Sequence, residues 1–284
     1  MRLGAYVFGY QTPEEWAQIH IQKGYGAAYW PFETIDYTAD DATIQSYCDS
    51  AKAHGLVIAE VGAWRNLFDA DPQKREDNMT YCIGQLQLAD RVGAKCCVNI
   101  SGSLHPTLWD GAHPDNCSDR MFGMVVESIQ HIIDAVKPQN TFYTVEPMPW
   151  MFPYDIDSLH KLINAVNRSA FGVHVDMCNM VNSFEKVYAT GDMTRAFFHE
   201  FGPLIKFVHA KDTCIGDTLT MCIHEAIPGE GIFDYDALLT ECAKLNDDLP
   251  VLAEHLHSEA EYDQATDYIS RKARQLGLDF ICGY

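Results

Sequence analysis

The sequence predicts an α/β fold, a single-domain (β/α)8 TIM barrel over residues 1–284, and three observations carry that expectation. Short apolar strand patterns alternate with helical stretches along the whole chain. The length suits one barrel, since such barrels run about 250 residues as one domain. Finally, four strand patterns in a row end on a side chain able to bind a metal or carry a proton. Thr141 to Glu146 is a run of strand formers halted by Pro147; a residue before proline is pushed into extended geometry, so Glu146 sits at a strand tip. FGVHVD does the same for Asp176, LIKFVH for His209 and PVLAE for Glu254. The gaps between these tips are 30, 33 and 45 residues. They lie near the roughly 30 or more that a strand, its crossover helix and their loops consume. In a closed barrel such tips converge on one face.

Taken in order, Leu3 to Phe8 reads as the first strand, followed by a helix with Pro13 in its first turn and acids beside the positive end of its dipole. Gly26 to Trp30 is a short second strand closed by Pro31. A helix from about Asp41 to His54 stops at Gly55, and Leu56 to Val61 is the third strand. The next helix, from Pro72 to Val92, is again stopped by glycine, and AKCCVNI is the fourth strand. Ser101 to Cys117 is a long loop of the kind that more often serves function than filler. A helix from Asp119 to Val136 precedes the strand that ends on Glu146. Beyond Asp176, a helical stretch from Ser183 to Glu200 leads to the seventh strand, Leu204 to His209. Thr213 to Gly231 is a second long loop. Asp234 then caps a helix to Leu245, Val251 to Glu254 is the eighth strand, and Ala260 to Leu276 closes the chain. A doubly wound open sheet is the alternative architecture. GEGIFDY, Gly229 to Tyr235, lacks the GxGxxG spacing and does not follow a strand directly, which argues against a dinucleotide site.

The composition narrows the partners. With 40 acidic against 20 basic residues the formal charge is −20, which repels nucleic acid and anionic membrane surfaces. The first residues lead into a strand pattern with no signal-peptide core, and no apolar run approaches a membrane span, so a cytoplasmic location is expected. Ten cysteines are scattered without any CxxC pair, and buried free thiols are expected rather than disulfides or a structural zinc site.

Two Glu, one Asp and one His form a hard-oxygen set with one imidazole, suited to Mn²⁺, Mg²⁺ or Co²⁺ more than to thiolate-bound zinc, with Zn²⁺ still open. Three carboxylates gathered without a cation would raise one another's pKa, and a divalent ion is the simplest way to keep them charged. A single carboxylate at a strand end is more often a helix cap or an ion-pair partner, and a single His a hydrogen-bonded core residue. Four such tips in succession are not easily produced by capping. Trp30, Trp64 and Trp150 follow strands two, three and five; each reads either as an aromatic wall for a sugar ring or as packing under a loop. Strand alternation points His255 away from Glu254, leaving His257 or His105 as a second acid or base.

Glu146 in VEPMP, Asp176 in HVDMCN, His209 in VHAKD, GEGIFDY, and Glu254 in LAEHLH, in this order and spacing, resemble the xylose isomerase-like barrel superfamily. Within it they look like the sugar isomerase/epimerase branch, which includes ketose 3-epimerases, inosose isomerases and dehydratases, enzymes cleaving oxidised C-glycosides and, more distantly, endonuclease IV. The resemblance spans essentially the whole chain. It implies a Mn²⁺-type ion held by Glu146, Asp176, His209 and Glu254, a small carbohydrate bound beside it, and a homo-oligomer of two or four chains. It also implies that Glu146 and Glu254 exchange a proton at the substrate carbon from opposite faces.

Departures from the ketose epimerase pattern are Phe152, Asn179 and Ile215, where those enzymes carry Glu, His and Arg on the substrate side. Asn179 thus stands at a substrate position with altered chemistry. Lys211 and Asp212 look more like the HxKD segment of inosose-processing enzymes, where Lys211 could hold a hydroxyl or an enolate oxygen or simply pair with an acid. A three-metal phosphodiesterase site would need further histidines; His105 offers one, but Asn179 replaces another and VGAW offers none. The expectation is a metal-dependent isomerase or epimerase of an unphosphorylated keto sugar or keto cyclitol. A lyase sharing the first proton abstraction is the alternative, and a non-catalytic sugar-binding subunit is the third reading.

Overall fold

The computed structural model describes every residue from Met1 to Tyr284. It contains two compact units, neither continuous in sequence: Met1–Tyr29 with Gln45–Ala59 and Val175–Tyr284, and Trp30–Ile44 with Glu60–His174. The strands are β1 (Arg2–Gly4), β2 (Ala27–Tyr29), β3 (Val57–Gly62), β4 (Cys96–Asn99), β5 (Tyr143–Val145), β6 (Val173–Asp176), β7 (Ile205–Ala210), β8 (Asp212–Ile215), β9 (Ile223–Ala226) and β10 (Pro250–Ala253). All but β8 and β9 overlap the apolar runs that the sequence reading takes as strands, although β1 ends at Gly4, short of the expected Phe8. One sheet runs β1-β10-β7-β6 and another β2-β3-β4-β5. The pairs β1 with β10, β10 with β7, β3 with β4 and β4 with β5 are parallel. The core strands are apolar along most of their length, as strands covered on both faces must be.

Between them lie α1 (Pro13–Gln22), α2 (Asp41–Ala53), α3 (Pro72–Val92), α4 (Asp119–Val136), α5 (Ile156–Val166), α6 (Phe184–Val187), α7 (Thr190–Phe201), α8 (Tyr235–Ala243) and α9 (Glu259–Gln275). Their ends follow capping chemistry. Thr12 and Glu15 form a reciprocal capping box at α1, and Asp71, Ser118, Asp234 and Ser258 accept first-turn amide N–H bonds at α3, α4, α8 and α9.

Three elements differ from the sequence expectation. Helix α5 lies between β5 and β6, where the sequence reading names no helix; Asp155 and Ser158 cap it reciprocally. The stretch read as one helix from Ser183 is two, α6 capped by Ser183 and α7 starting at Thr190, whose hydroxyl accepts the Asp234 N–H (3.0 Å). The long loop after β7 contains an antiparallel hairpin of β8 with β9. The ten cysteines are all free; Cys82, Cys96, Cys97, Cys178 and Cys242 are buried, whereas Cys117, Cys222 and Cys282 are exposed.

The hairpin and the GEGIFDY segment are organised by Asp212. Its Oδ1 accepts N–H bonds from Thr213 (2.8 Å) and Phe233 (2.9 Å), and its Oδ2 from Gly229 (2.9 Å) and Gly231 (3.2 Å). Gly231 is needed because a Cβ there would stand 2.2 Å from Asp212 Oδ1. Asp212→Ala leaves the buried Thr213 and Phe233 amides and the part-buried Gly229 and Gly231 amides without this acceptor and is expected to cost about 3 kcal/mol or more. Denaturant unfolding measures the loss, and hydrogen exchange at the Gly229 and Gly231 amides should accelerate with it.

His20 supplies a pH-dependent element of stability. In α1 its ring is buried, lies edge-on to Trp16 and places Nδ1 2.7 Å from the Trp16 carbonyl. Burial pushes its pKa down from 6.5 to about 4. The unfolded chain therefore binds this proton more readily, so the stabilisation is complete above about pH 6.5 and is lost as pH falls towards 4. The difference corresponds to about 3 kcal/mol. His20→Phe should flatten the acid limb of the unfolding free energy across that interval, measured by urea titrations at stepped pH.

Candidate metal centre

In the first unit, β7 aims its chemistry by alternation. Side chains two apart share a face, which places Phe207, His209 and the following Lys211 on the same side. The Phe207 ring meets the His209 imidazole edge-on at 4.8 Å, and both His209 and Lys211 are buried. The register pairs Leu252 with His209 and Ala253 with Ala210, so Glu254, one residue beyond β10, comes level with Lys211. On the other side of β7, β6 ends at Asp176. Asp176 Oδ1 accepts the Asn179 N–H at 3.0 Å, which turns Oδ2 towards β7.

The donor atoms meet at close range. His209 Nδ1 is 3.2 Å from Glu254 Oε2 and 3.8 Å from Asp176 Oδ2. Lys211 Nζ is 2.8 Å from each of those two carboxylate oxygens. Glu225 of β9 completes the anionic surroundings of Lys211 at 3.4 Å. Burial would raise the Glu254 pKa, but His209, Lys211 and His255 reverse this and hold it at about 2. Burial likewise acts against the Glu225 carboxylate, and its bond to His255 together with the Lys211 charge brings its pKa below the ordinary value.

Ligands adjacent on an ion bound at about 2.1 Å are about 3 Å apart, so the two separations at His209 suit a shared cation. Buried carboxylate oxygens with one imidazole match hard divalent ions, and these groups could bind one.

In the second unit, Glu146 follows β5 directly. Its N–H donates to the Asn99 carbonyl (2.8 Å), extending the ladder by one residue before Pro147, and its side chain is buried. Asn99 also clamps the chain after β3, accepting the Arg65 N–H and donating to the Arg65 carbonyl. The same unit holds a buried acid–imidazole pair absent from the sequence reading, His174 Nε2 at 3.8 Å from Glu60 Oε2. The signal was available: Glu60 interrupts an apolar strand, and His174 is two residues before Asp176 on β6.

The remaining predicted residues are placed as follows. Trp30 is wholly buried and its indole N–H donates to the Ile35 carbonyl at 2.6 Å. Trp64 has φ of 38° and packs over Gly62, where a Cβ would come within 2.3 Å of its indole nitrogen. Trp150 is 40% exposed and its N–H donates to the Asp110 carbonyl at 2.7 Å. His105 Nδ1 accepts the N–H groups of Thr107 and Leu108, closing a turn of the first long loop. Asn179 meets Asp176 through its backbone. The His257 backbone N–H donates to Glu261, and its side chain is exposed.

His255 corrects the alternation argument. Its φ of 58° breaks the strand pattern, so that Nδ1 lies 3.1 Å from both Glu225 oxygens and Nε2 lies 3.6 Å from Glu254 Oε2. Sequence reasoning also missed Glu225, because the strand carrying it reads as loop.

Comparison with solved structures finds the same fold at low identity. Endonuclease IV from Thermus thermophilus matches with a TM-score of 0.72 and 15% identity over 97% of this chain and 100% of the other. The probable 3-DHS dehydratase of petrobactin synthesis from Bacillus anthracis matches at 0.70 and 15% over 96% and 98%. The 3-keto-D-glucoside 4-epimerase of E. coli matches at 0.69 and 16% over 95% and 98%. No curated protein sequence matches the chain. The family model described as xylose isomerase-like TIM barrel matches residues 23–272, and the chain belongs to that family.

Proposed function

We propose that the chain, as one domain over residues 1–284, is a metal-dependent isomerase or epimerase of an unphosphorylated keto sugar or keto cyclitol. The observation that carries this reading is the buried cluster of Asp176 Oδ2, His209 Nδ1 and Glu254 Oε2, with 3.2 and 3.8 Å between imidazole and carboxylates. Glu146, buried at the tip of β5, would be the fourth ligand of a Mn²⁺-type ion, with Mg²⁺, Co²⁺ or Zn²⁺ as substitutes. When bound, such an ion would polarise a substrate carbonyl and so acidify the neighbouring C–H. Each glutamate can ligate through one oxygen and keep the other for a proton. Glu254, its pKa held at about 2 by His209, Lys211 and His255, is charged at neutral pH, and its assigned role is to take the proton from the substrate carbon. Glu146 would return a proton from the other face of the carbon. The formal charge of −20 disfavours phosphodiester substrates and anionic membranes, and no helix is long and apolar enough to cross a membrane.

A second reading, elimination after the same first step, is favoured by His255. The imidazole beside Glu254, held by Glu225, is an additional polar group that could protonate a departing hydroxyl. Its bond to Glu225 and the Glu254 charge raise the His255 pKa despite the opposing effect of burial.

In D₂O with Mn²⁺ and a panel of keto sugars, inososes and 3-oxo-glycosides, isomerase or epimerase action is expected to incorporate deuterium without loss of water. An unsaturated product or a released aglycone would establish elimination instead. Glu146→Gln and Glu254→Gln should each slow exchange by about 10² or more, the scale of lost acid–base catalysis; normal turnover in either removes its assigned role. Chelation followed by Mn²⁺ at about 100 times its Kd should restore about 2.7 kcal/mol of stability, read as a rise in Tm. A Tm indifferent to the metal counts against the ligand set.

A further inference from the structure

Lys211 stands where the metal reading would place positive charge of a different kind. Its ammonium is 2.8 Å from Asp176 Oδ2 and 2.8 Å from Glu254 Oε2, the same two oxygens that face His209 Nδ1. At 3% exposure the ammonium is shielded from water, and burying a charge is costly unless it is paired. A divalent ion drawing on those two oxygens would lie within a few ångströms of Nζ, and like charges so close in a buried site repel strongly. One retreat is built beside it. Glu225 Oε1 is 3.4 Å from Nζ and His255 Nδ1 is 3.0 Å away. Glu225 is itself only half-buried, at the edge of the cluster, where an additional positive neighbour is more easily accommodated.

We propose that the Lys211 ammonium and a divalent cation compete for Asp176 Oδ2 and Glu254 Oε2, and that Glu225 receives the ammonium when the cation binds. Lys211 then acts as a positioning residue that sets metal affinity. It pairs with both carboxylates and weakens their hold on the ion. The proposal rests on the metal reading above, and it gives Glu225, the carboxylate carried in by the hairpin, a role towards the metal. It also separates Lys211 from a role confined to holding substrate, which would leave metal affinity untouched.

The test is Mn²⁺ binding by calorimetry on the full chain, with no substrate present. Lys211→Met keeps most of the unbranched side chain, one atom shorter, and removes the charge; it should bind Mn²⁺ at least about tenfold more tightly, given unit charges a few ångströms apart at an effective dielectric constant of about 20. Glu225→Gln in the unaltered background should bind severalfold more weakly, and in the Lys211→Met background it should have a much smaller effect. Binding by the unaltered chain with Lys211→Met equal or weaker overturns this proposal alone. Absence of binding in both overturns the metal reading and the proposal with it. If Lys211→Met does not fold, the single Glu225→Gln variant decides: unchanged or tighter binding refutes the retreat of the ammonium.

Discussion

The constraint on which the rest of the structure depends is the burial of like charges. Asp176 and Glu254 are both buried at neighbouring strand ends, where a carboxylate without a partner is costly. Lys211 stands between them and His209 beside them. That arrangement requires particular strand register. Pairing of Leu252 with His209 sets Glu254 level with Lys211; a slip of one residue would turn the acid to the opposite side of β10. The apolar strands and capped helices therefore hold a polar cluster in register.

A further group of polar side chains serves the backbone. Asp212 takes four N–H groups, Asn99 brackets Arg65, His105 closes a turn, and Asp176 divides its two oxygens between the Asn179 amide and the cluster. Some of these bonds are local turns, whereas others reach far in sequence: one carboxylate at position 212 holds amides up to 21 positions away. They explain why the loops around the strand ends are ordered despite being rich in glycine and proline. They also show that acids in this chain divide by neighbours. Asp212 faces only backbone donors, whereas Asp176 and Glu254 face a cation.

Much of this was legible in the sequence where local chemistry and tertiary need agree. Apolar runs marked the eight parallel-type strands, Gly93 and Gly55 take the left-handed conformation expected after α3 and α2, and Asp234 caps α8. The cluster residues were legible because each sits next to a strand end that proline, glycine or a change of polarity announces. What escaped depended on context. Helix α5 begins at Asp155 soon after a proline-rich turn that masks its cap. The β8–β9 hairpin hides because its two short strands are joined by a polar turn, and Glu225 went unnoticed with it. His255 was misdirected because alternation holds only while the backbone stays extended. Glu60 and His174 passed as strand filler because a buried acid–imidazole pair has no local signature.

The backbone at His255 has a consequence for how this chain can vary over time. A φ of 58° is tolerated by asparagine, aspartate and glycine, and resisted by β-branched or bulky aliphatic side chains. Drift at this position is thus channelled towards short polar replacements or none. Because the same turn directs the residue at Glu225 and Glu254, most of the accessible substitutions alter the ionic surroundings without dismantling the strand beneath them. Divergence in reaction outcome among close descendants would on this account be concentrated at residue 255, ahead of the deeper ligands.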